Sequence, residues 1–163
     1  MQIPVVAGKG RGRTALSAFD AALSDCGVLN YNLIRLSSVI PPGTTVFELD
    51  RACAPPHEHG DRLFVVMAEQ RSTKPGRAIA AGIGWYQWQG GRGVFVEHEA
   101  EGASTVEVEA EVLDQIYASL RDLCETRRVD FDGLRAGWRL ASAEVGEEPA
   151  AVVVLSVYGA ERW

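Results

Sequence analysis

The chain of 163 residues lacks several features that would assign it to common functional classes. No hydrophobic run is long enough to span a membrane, and the N-terminus lacks the basic start and long apolar stretch of a signal peptide. Arginine and lysine form no patch, and the formal net charge of −6 argues against a nucleic-acid groove and favours small cationic ligands. These absences predict a cytoplasmic protein that binds neither nucleic acid nor a membrane.

Cysteine and histidine are also scarce, with three residues of each type. Cys26, Cys53 and Cys124 are widely spaced and odd in number, which predicts reduced thiols rather than disulfides. His57 and His59 lie two residues apart in a proline-containing connection, but no third ligand is evident. We therefore expect no metal site.

The chain does contain enough apolar residues for one folded domain. Hydrophobic residues make up 47% of the sequence and nothing marks a second module, so we expect residues 1–163 to form a single domain. Glycine occupies positions 8, 10 and 12, but the segment is neither a complete phosphate-binding loop nor a dinucleotide-binding motif. We interpret residues 8–12 as a loop.

Hydrophobic periodicity predicts two helices. The first runs from an N-cap at Thr14 to a left-handed stop at Gly27, and the second opens with a capping box at Ser104 and Glu107 and continues to about residue 128. Strand patterns cover residues 32–40, 63–68, 78–88, 94–99, 134–143 and 150–158. This order of elements predicts a mixed α/β sandwich.

A pair of serines, Ser37 and Ser38, lies near the end of the first strand pattern, shortly before Pro41 and Pro42. The Ser38 hydroxyl can attack the Ser37 carbonyl carbon if that carbonyl is polarised and the backbone is held out of relaxed geometry, which turns the peptide bond into an ester. β-Elimination and hydrolysis, with loss of ammonia, would leave a pyruvoyl group at residue 38. The motif is short, and a serine pair before a turn also occurs in ordinary proteins.

Two polar residues upstream are candidates to assist this chemistry. On a continuous strand over residues 32–40, Asn32 and Ser38 would share one face. Asp20 lies between Leu16 and Leu23, beside the apolar stripe of the first helix. A carboxylate in such a position is either paired inside the protein, available to a cationic ligand, or placed at the stripe edge where it reaches water.

These segments together resemble one known family. The runs Thr14-Ala-Leu-Ser-Ala-Phe-Asp20 and Gly27-Val-Leu-Asn-Tyr-Asn-Leu-Ile-Arg-Leu-Ser-Ser-Val-Ile-Pro-Pro42 are similar to the pyruvoyl-dependent arginine decarboxylases, and the match is densest over residues 5–43. Gly93-Val-Phe-Val-Glu97-His-Glu resembles the family segment that supplies the catalytic acid. The resemblance implies a four-layer αββα sandwich with mainly antiparallel sheets, cut into residues 1–37 and 38–163.

The resemblance also implies roles for five residues. Ser38 matches the serine that becomes the pyruvoyl cofactor, and Ser37 matches the residue that keeps the new C-terminus. Asn32 matches the asparagine that assists cleavage, Asp20 the carboxylate that holds the substrate guanidinium, and Glu97 the proton donor. The implied reaction joins arginine to the pyruvoyl ketone as a Schiff base and yields agmatine and carbon dioxide, for polyamine synthesis or acid resistance. The implied assembly is a trimer or a dimer of trimers with sites between subunits.

Several alternatives stay open at this stage. Glu97 and Glu99 share one strand face, and only the resemblance selects Glu97 as the acid, for which Val94 and Val96 offer apolar surroundings. His98 stands where an aromatic hydroxyl is expected beside the acid. The chain could instead be an uncleaved, noncatalytic relative that acts as a binding or assembly subunit, or a decarboxylase of another basic amino acid such as ornithine.

Overall fold

The computed structural model describes residues 1–51 and 59–163, so the predictions for Cys53 and His57 lie outside the described residues. Within these ranges the chain forms two helices, α1 (Ala15–Cys26) and α2 (Thr105–Thr126). The strands are β1 (Gln2–Arg11), β2 (Asn32–Arg35), β3 (Val39–Ile40), β4 (Thr45–Glu48), β5 (Arg62–Ser72), β6 (Ala78–Gln87), β7 (Gly93–Gly102), β8 (Gly137–Glu144) and β9 (Ala150–Glu161). Both predicted helices are confirmed, whereas the sequence patterns indicate neither β1 nor β4.

Side-chain caps define where the helices begin. The Thr14 hydroxyl accepts from the Ser17 amide and the Ser17 hydroxyl accepts from the Thr14 amide, which is a reciprocal capping box for α1. Gly27 ends this helix with φ of 81°, as the sequence predicts. At α2 the predicted box is only half formed, because Ser104 accepts from the Glu107 amide while the Glu107 carboxylate accepts from another amide.

The strands form two sheets. Sheet A has the order β2-β5-β9-β1-β4, and sheet B has the order β3-β7-β6-β8. The β2–β5 and β1–β4 pairs are parallel, and the remaining pairs in both sheets are antiparallel. The prediction of mainly antiparallel sheets is therefore confirmed.

Three apolar cores divide the molecule into layers. Ala22 and Val153 belong to the core between α1 and sheet A, Phe95 and Val154 to the core between the two sheets, and Ile116 to the core between sheet B and α2. Successive residues of β9 thus enter different cores, as expected for a strand that is buried on both faces. The layer order α1, sheet A, sheet B, α2 is the predicted αββα sandwich.

The glycine-rich segment over residues 8–12 is mostly strand, contrary to the prediction of a loop. It continues β1, which pairs with β9. A Cβ atom at Gly10 would lie 2.1 Å from the Ala18 carbonyl oxygen, and one at Gly8 would lie 2.5 Å from the Ala22 carbonyl oxygen. The glycines therefore allow α1 to pack directly on the backbone of β1, and close approach rather than flexibility explains them.

The single strand predicted over residues 32–40 is also wrong. β2 ends at Arg35 in sheet A, and the chain then continues into sheet B as β3, which begins at Val39. Asn32 and Ser38 therefore do not share a face of one strand. The alternation of apolar residues continues across the break, because the inward-facing side chains of both sheets enter the same core.

Three further findings concern membrane-spanning helices, metal-binding groups and cysteines. No helix in the described ranges is both long enough and apolar enough to cross a membrane. The same residues contain no group of three histidine, cysteine, aspartate or glutamate side chains placed to hold a metal ion. Cys26 and Cys124 are free thiols on the buried faces of α1 and α2.

Candidate active site

The predicted cleavage point lies where the chain crosses from sheet A to sheet B. The Leu36 amide donates to the Val65 carbonyl oxygen at 2.9 Å, which extends the β2–β5 pairing. Two residues later, the Phe95 amide donates to the Ser38 carbonyl oxygen at 2.9 Å and begins the pairing with β7. The change of sheet is thus concentrated at the exposed Ser37, directly before the predicted scissile peptide bond.

The main chain forms a three-residue turn around Ser38. The Val39 amide donates to the Ser37 carbonyl oxygen at 2.7 Å. A donor at this oxygen polarises the carbonyl group and stabilises the negative charge that develops when a nucleophile attacks its carbon. The turn therefore supplies the polarisation that attack on this peptide bond requires.

A carboxylate contacts the Ser38 side chain. The Ser38 hydroxyl donates to Oε1 of Glu97, a half-buried residue of β7. Phe95, two residues earlier on the same strand face, belongs to the core between the sheets. Glu99 shares the parity of Glu97 but is exposed, so the contact with Ser38 distinguishes two carboxylates that the sequence pattern could not separate.

A tyrosine that the sequence analysis missed contacts the same segment. The Tyr158 hydroxyl donates to the Val39 carbonyl oxygen at 2.9 Å, and its ring packs edge-on against Phe95 with 6.2 Å between centroids. Burial, and secondarily the negative charge of Glu97, raises the pKa of Tyr158 to about 12. The alternation of β9 places Tyr158 on the face that points to sheet B, but no sequence pattern indicates which residue it contacts.

His98 faces away from this cluster. As the neighbour of Glu97 on β7 it points to the opposite side of sheet B, where Nε2 and the Ser119 hydroxyl of α2 share a hydrogen bond of 2.8 Å. Position 98 therefore supplies no aromatic hydroxyl to the site. The hydroxyl of Tyr158, from β9, lies on the site's side of sheet B.

Asp20 is not brought to Ser38 within one chain. It is exposed on α1, whereas Ser38 and Glu97 lie at the inner face of sheet B, so sheet A separates the two. Asp20 opens onto a surface cavity of about 440 Å³, which we call the α1 pocket. The α1 pocket is lined by Thr14, Leu16, Ser17, Phe19, Asp20 and Leu23.

The α1 pocket joins one carboxylate to apolar walls. Leu16 is 69% exposed and forms one apolar wall. Phe19 is partly buried, and the Arg71 guanidinium lies over its ring at 3.7 Å from the centroid. Such a pocket suits a ligand that carries a cationic head on an aliphatic stem.

Asn32 also lies apart from Ser38 in the single chain. It is exposed at the start of β2, where its side-chain amide donates to the Gly60 carbonyl oxygen. The indole of Trp163 donates to the same oxygen at 2.8 Å. Of the five predicted site residues, the structure therefore groups Ser37, Ser38 and Glu97 and leaves Asn32 and Asp20 elsewhere on the surface.

Comparison with known proteins identifies the family of this chain. A family model described as pyruvoyl-dependent arginine decarboxylase matches residues 2–162. Proteins of that name from two strains of Halobacterium salinarum are 37% identical over 162 residues, which cover 97% of this chain and 94% of each relative. One from Methanocella arvoryzae is 38% identical over 77 residues, or 47% of this chain and 46% of the relative. The chain therefore belongs to the pyruvoyl-dependent arginine decarboxylase family.

Proposed function

We propose that the chain cuts itself between Ser37 and Ser38 and then decarboxylates arginine to agmatine. The observation that carries this proposal is the hydrogen bond from the Ser38 hydroxyl to the Glu97 carboxylate, at a serine pair that lies between two sheets. Family membership adds the cofactor and the substrate class, since the relatives' names specify pyruvoyl dependence and arginine.

The contacts around Ser38 supply what self-cleavage needs. As the Ser38 oxygen bonds to the Ser37 carbonyl carbon, its proton moves to Glu97 and the bond to the residue 38 nitrogen breaks, with that nitrogen gaining a proton. The Val39 amide stabilises the charge on the carbonyl oxygen. Loss of the Ser38 α-proton then expels the Ser37 carboxylate, and water replaces the nitrogen, which leaves as ammonia.

The surroundings of residue 38 fit a pyruvoyl group. Such a group supplies a Schiff-base link to the substrate amine and, through its conjugated amide carbonyl, an electron sink for decarboxylation. That amide carbonyl is the Ser38 carbonyl, which the Phe95 amide already holds at 2.9 Å. Glu97 lies at the Ser38 side chain and is placed to return a proton to the substrate carbon after carbon dioxide leaves.

Substrate recognition is assigned to Asp20 in the α1 pocket. A carboxylate can accept two parallel hydrogen bonds from a planar guanidinium, which an ammonium group cannot reproduce, so arginine is preferred over ornithine or lysine. Because sheet A separates Asp20 from Ser38 within one chain, the pocket must act on residue 38 of a neighbouring copy. We therefore propose a homo-oligomer with sites between subunits, for which the family resemblance implies a trimer or a dimer of trimers.

Mass spectrometry of the denatured protein tests the proposal first. We expect fragments of residues 1–37 and 38–163, the latter about 17 Da lighter than simple hydrolysis would give, because ammonia is lost. The cleaved protein should release carbon dioxide from arginine much faster than from ornithine. An intact chain would identify a noncatalytic relative, and a preference for ornithine would contradict the role of Asp20.

A further inference from the structure

Tyr158 occupies an irregular position in an otherwise regular strand. The register between β5 and β9 shifts by one residue, because Phe64 pairs with Gly159 but Val65 pairs with Val157. Tyr158 is the extra residue of this β-bulge and lacks a partner on β5. Bulges of this kind occur next to active sites, where they redirect a side chain.

The bulge places Tyr158 where two strands of different sheets meet. β9 lies at the centre of sheet A, whereas the Tyr158 hydroxyl donates to Val39, the first residue of β3 in sheet B. Its ring also packs against Phe95, the residue whose amide holds the Ser38 carbonyl. One side chain therefore ties the segment after Ser38 to the middle of the other sheet.

The hydrogen bond from Tyr158 to Val39 becomes more important once the chain is cut. Cleavage would turn β3 into the N-terminus of the 38–163 fragment, and β3 contains only Val39 and Ile40, at the edge of sheet B. A free chain end with so little pairing frays. The bond from Val39 to the Ser37 carbonyl links two separate fragments after the cut, whereas Phe95 and Tyr158 belong to the same fragment as residue 38.

We propose that Tyr158 is a positioning residue that keeps residue 38 opposite Glu97 after cleavage; this inference rests on the proposed self-cleavage. The hydroxyl fixes the Val39 carbonyl, so the residue 38 amide carbonyl stays on the Phe95 amide and the side-chain position stays beside Glu97. Since the pKa of Tyr158 is about 12, the phenol remains a hydrogen-bond donor at neutral pH. Without it, the new N-terminus is held by β3–β7 pairing and by the buried side chain of Ile40, which lies two residues from residue 38.

The test compares two tyrosines that each lose one hydroxyl. Tyr158→Phe removes the bond to Val39 and keeps the ring. Tyr86→Phe is the control, because the Tyr86 hydroxyl donates to the Asp130 carbonyl oxygen at 3.0 Å and accepts from the Asp132 amide at 3.2 Å, away from Ser38. It removes two hydrogen bonds, so it is the more demanding test of general stability. Each variant is measured at a temperature that lies the same number of degrees below its own unfolding midpoint.

Two readouts separate positioning from general stability. In the cleaved protein, Tyr158→Phe should speed hydrogen–deuterium exchange of the peptide that begins at residue 38 by about tenfold. It should also lower kcat per pyruvoyl group, counted from the fragment masses, by about tenfold while KM changes less than about twofold. Tyr86→Phe should change neither exchange at this peptide nor kcat.

The possible outcomes distinguish this inference from the proposed function. If wild type is cleaved and active but Tyr158→Phe matches Tyr86→Phe in exchange and in kcat, the positioning role is overturned and the decarboxylase stands. If wild type is not cleaved, the proposed function fails and the inference fails with it. Faster exchange together with a lower kcat at constant KM, in Tyr158→Phe alone, supports the inference.

Discussion

The cleavage segment, residues 37–39, and the α1 pocket differ in how completely one chain builds them. In the cleavage segment, amides, a carboxylate and a phenol from the same chain hold the carbonyls and the hydroxyl. In the α1 pocket, Asp20 and Leu16 are exposed, and the described lining residues include neither Ser38 nor Glu97. In the proposed mechanism, processing would therefore use groups of one subunit, whereas recognition of the substrate would need a second one.

Replacing the nucleophile should have the largest effect on the cleavage segment. Ser38→Ala removes the attacking hydroxyl, so we expect no cleavage and no turnover of arginine. Ser37→Ala is the control: it should still be cut, because only the main chain of residue 37 takes part. Denaturing mass spectrometry distinguishes the two variants, and arginine turnover by Ser38→Ala would contradict the pyruvoyl mechanism.

A change in the α1 pocket should affect recognition without affecting processing. Asp20→Asn removes a charge-assisted bond to the guanidinium, and we expect KM for arginine to rise about 10- to 100-fold while cleavage stays complete. Asp114→Asn, at an exposed position on α2, makes the same charge change elsewhere and should leave KM unaltered. A normal KM in Asp20→Asn would exclude Asp20 from substrate binding.

The sequence predicts the regular elements of the fold and misses the irregular ones. The caps at Thr14 and Gly27 and the periodicity of α2 are local, so both helices follow from nearby residues. The break between β2 and β3 depends instead on two remote strands, because β2 pairs with β5 and β3 pairs with β7. A period of two persists across the break, so the pattern gives no sign of it.

The same limit applies to the candidate site. The residues themselves point to Ser37 and Ser38, but Glu97 is distinguished from Glu99 only by family resemblance before its contact with Ser38 is seen. Tyr158 becomes visible only when the bulge in β9 and the position of β3 are known. Side chains that meet across layers are set by packing of distant elements, which local periodicity does not encode.

The glycines of β1 beneath α1 give a prediction with a smaller expected effect. It concerns the packing of the helix that carries the α1 pocket. Gly10→Ala would bring a Cβ atom against the Ala18 carbonyl and force α1 away from β1, at a cost of about 1–3 kcal/mol in the free energy of unfolding. Gly133→Ala is the control, because its nearest neighbour would be a Tyr117 ring carbon at 3.5 Å. Equal denaturant midpoints for the two variants would contradict the close-packing explanation.

The smallest expected effect concerns the Cys26 thiol, on the buried face of α1. Burial chiefly, with the charge of Asp25 adding to it, raises the pKa of Cys26 to about 12. We therefore expect Cys26 to resist iodoacetamide at neutral pH in the folded protein and to react after unfolding, as peptide mass spectrometry can follow. Rapid alkylation in the folded state would mean that α1 separates from sheet A. Solvent would then reach the buried face of α1 as well as the α1 pocket on its outer face.

Complementation between subunits tests most directly whether recognition crosses from one copy to another. Ser38→Ala supplies intact α1 pockets but no cofactor, and Asp20→Asn supplies the cofactor but defective pockets. Co-expressed at equal levels and assayed at low arginine concentration, the two variants should assemble at random and together recover about a quarter of wild-type activity. In the proposed trimer about three quarters of the assemblies are mixed, and one of the three interfaces in each mixed trimer combines both intact residues. Activity no higher than the sum of the two variants measured separately would contradict a site shared between copies.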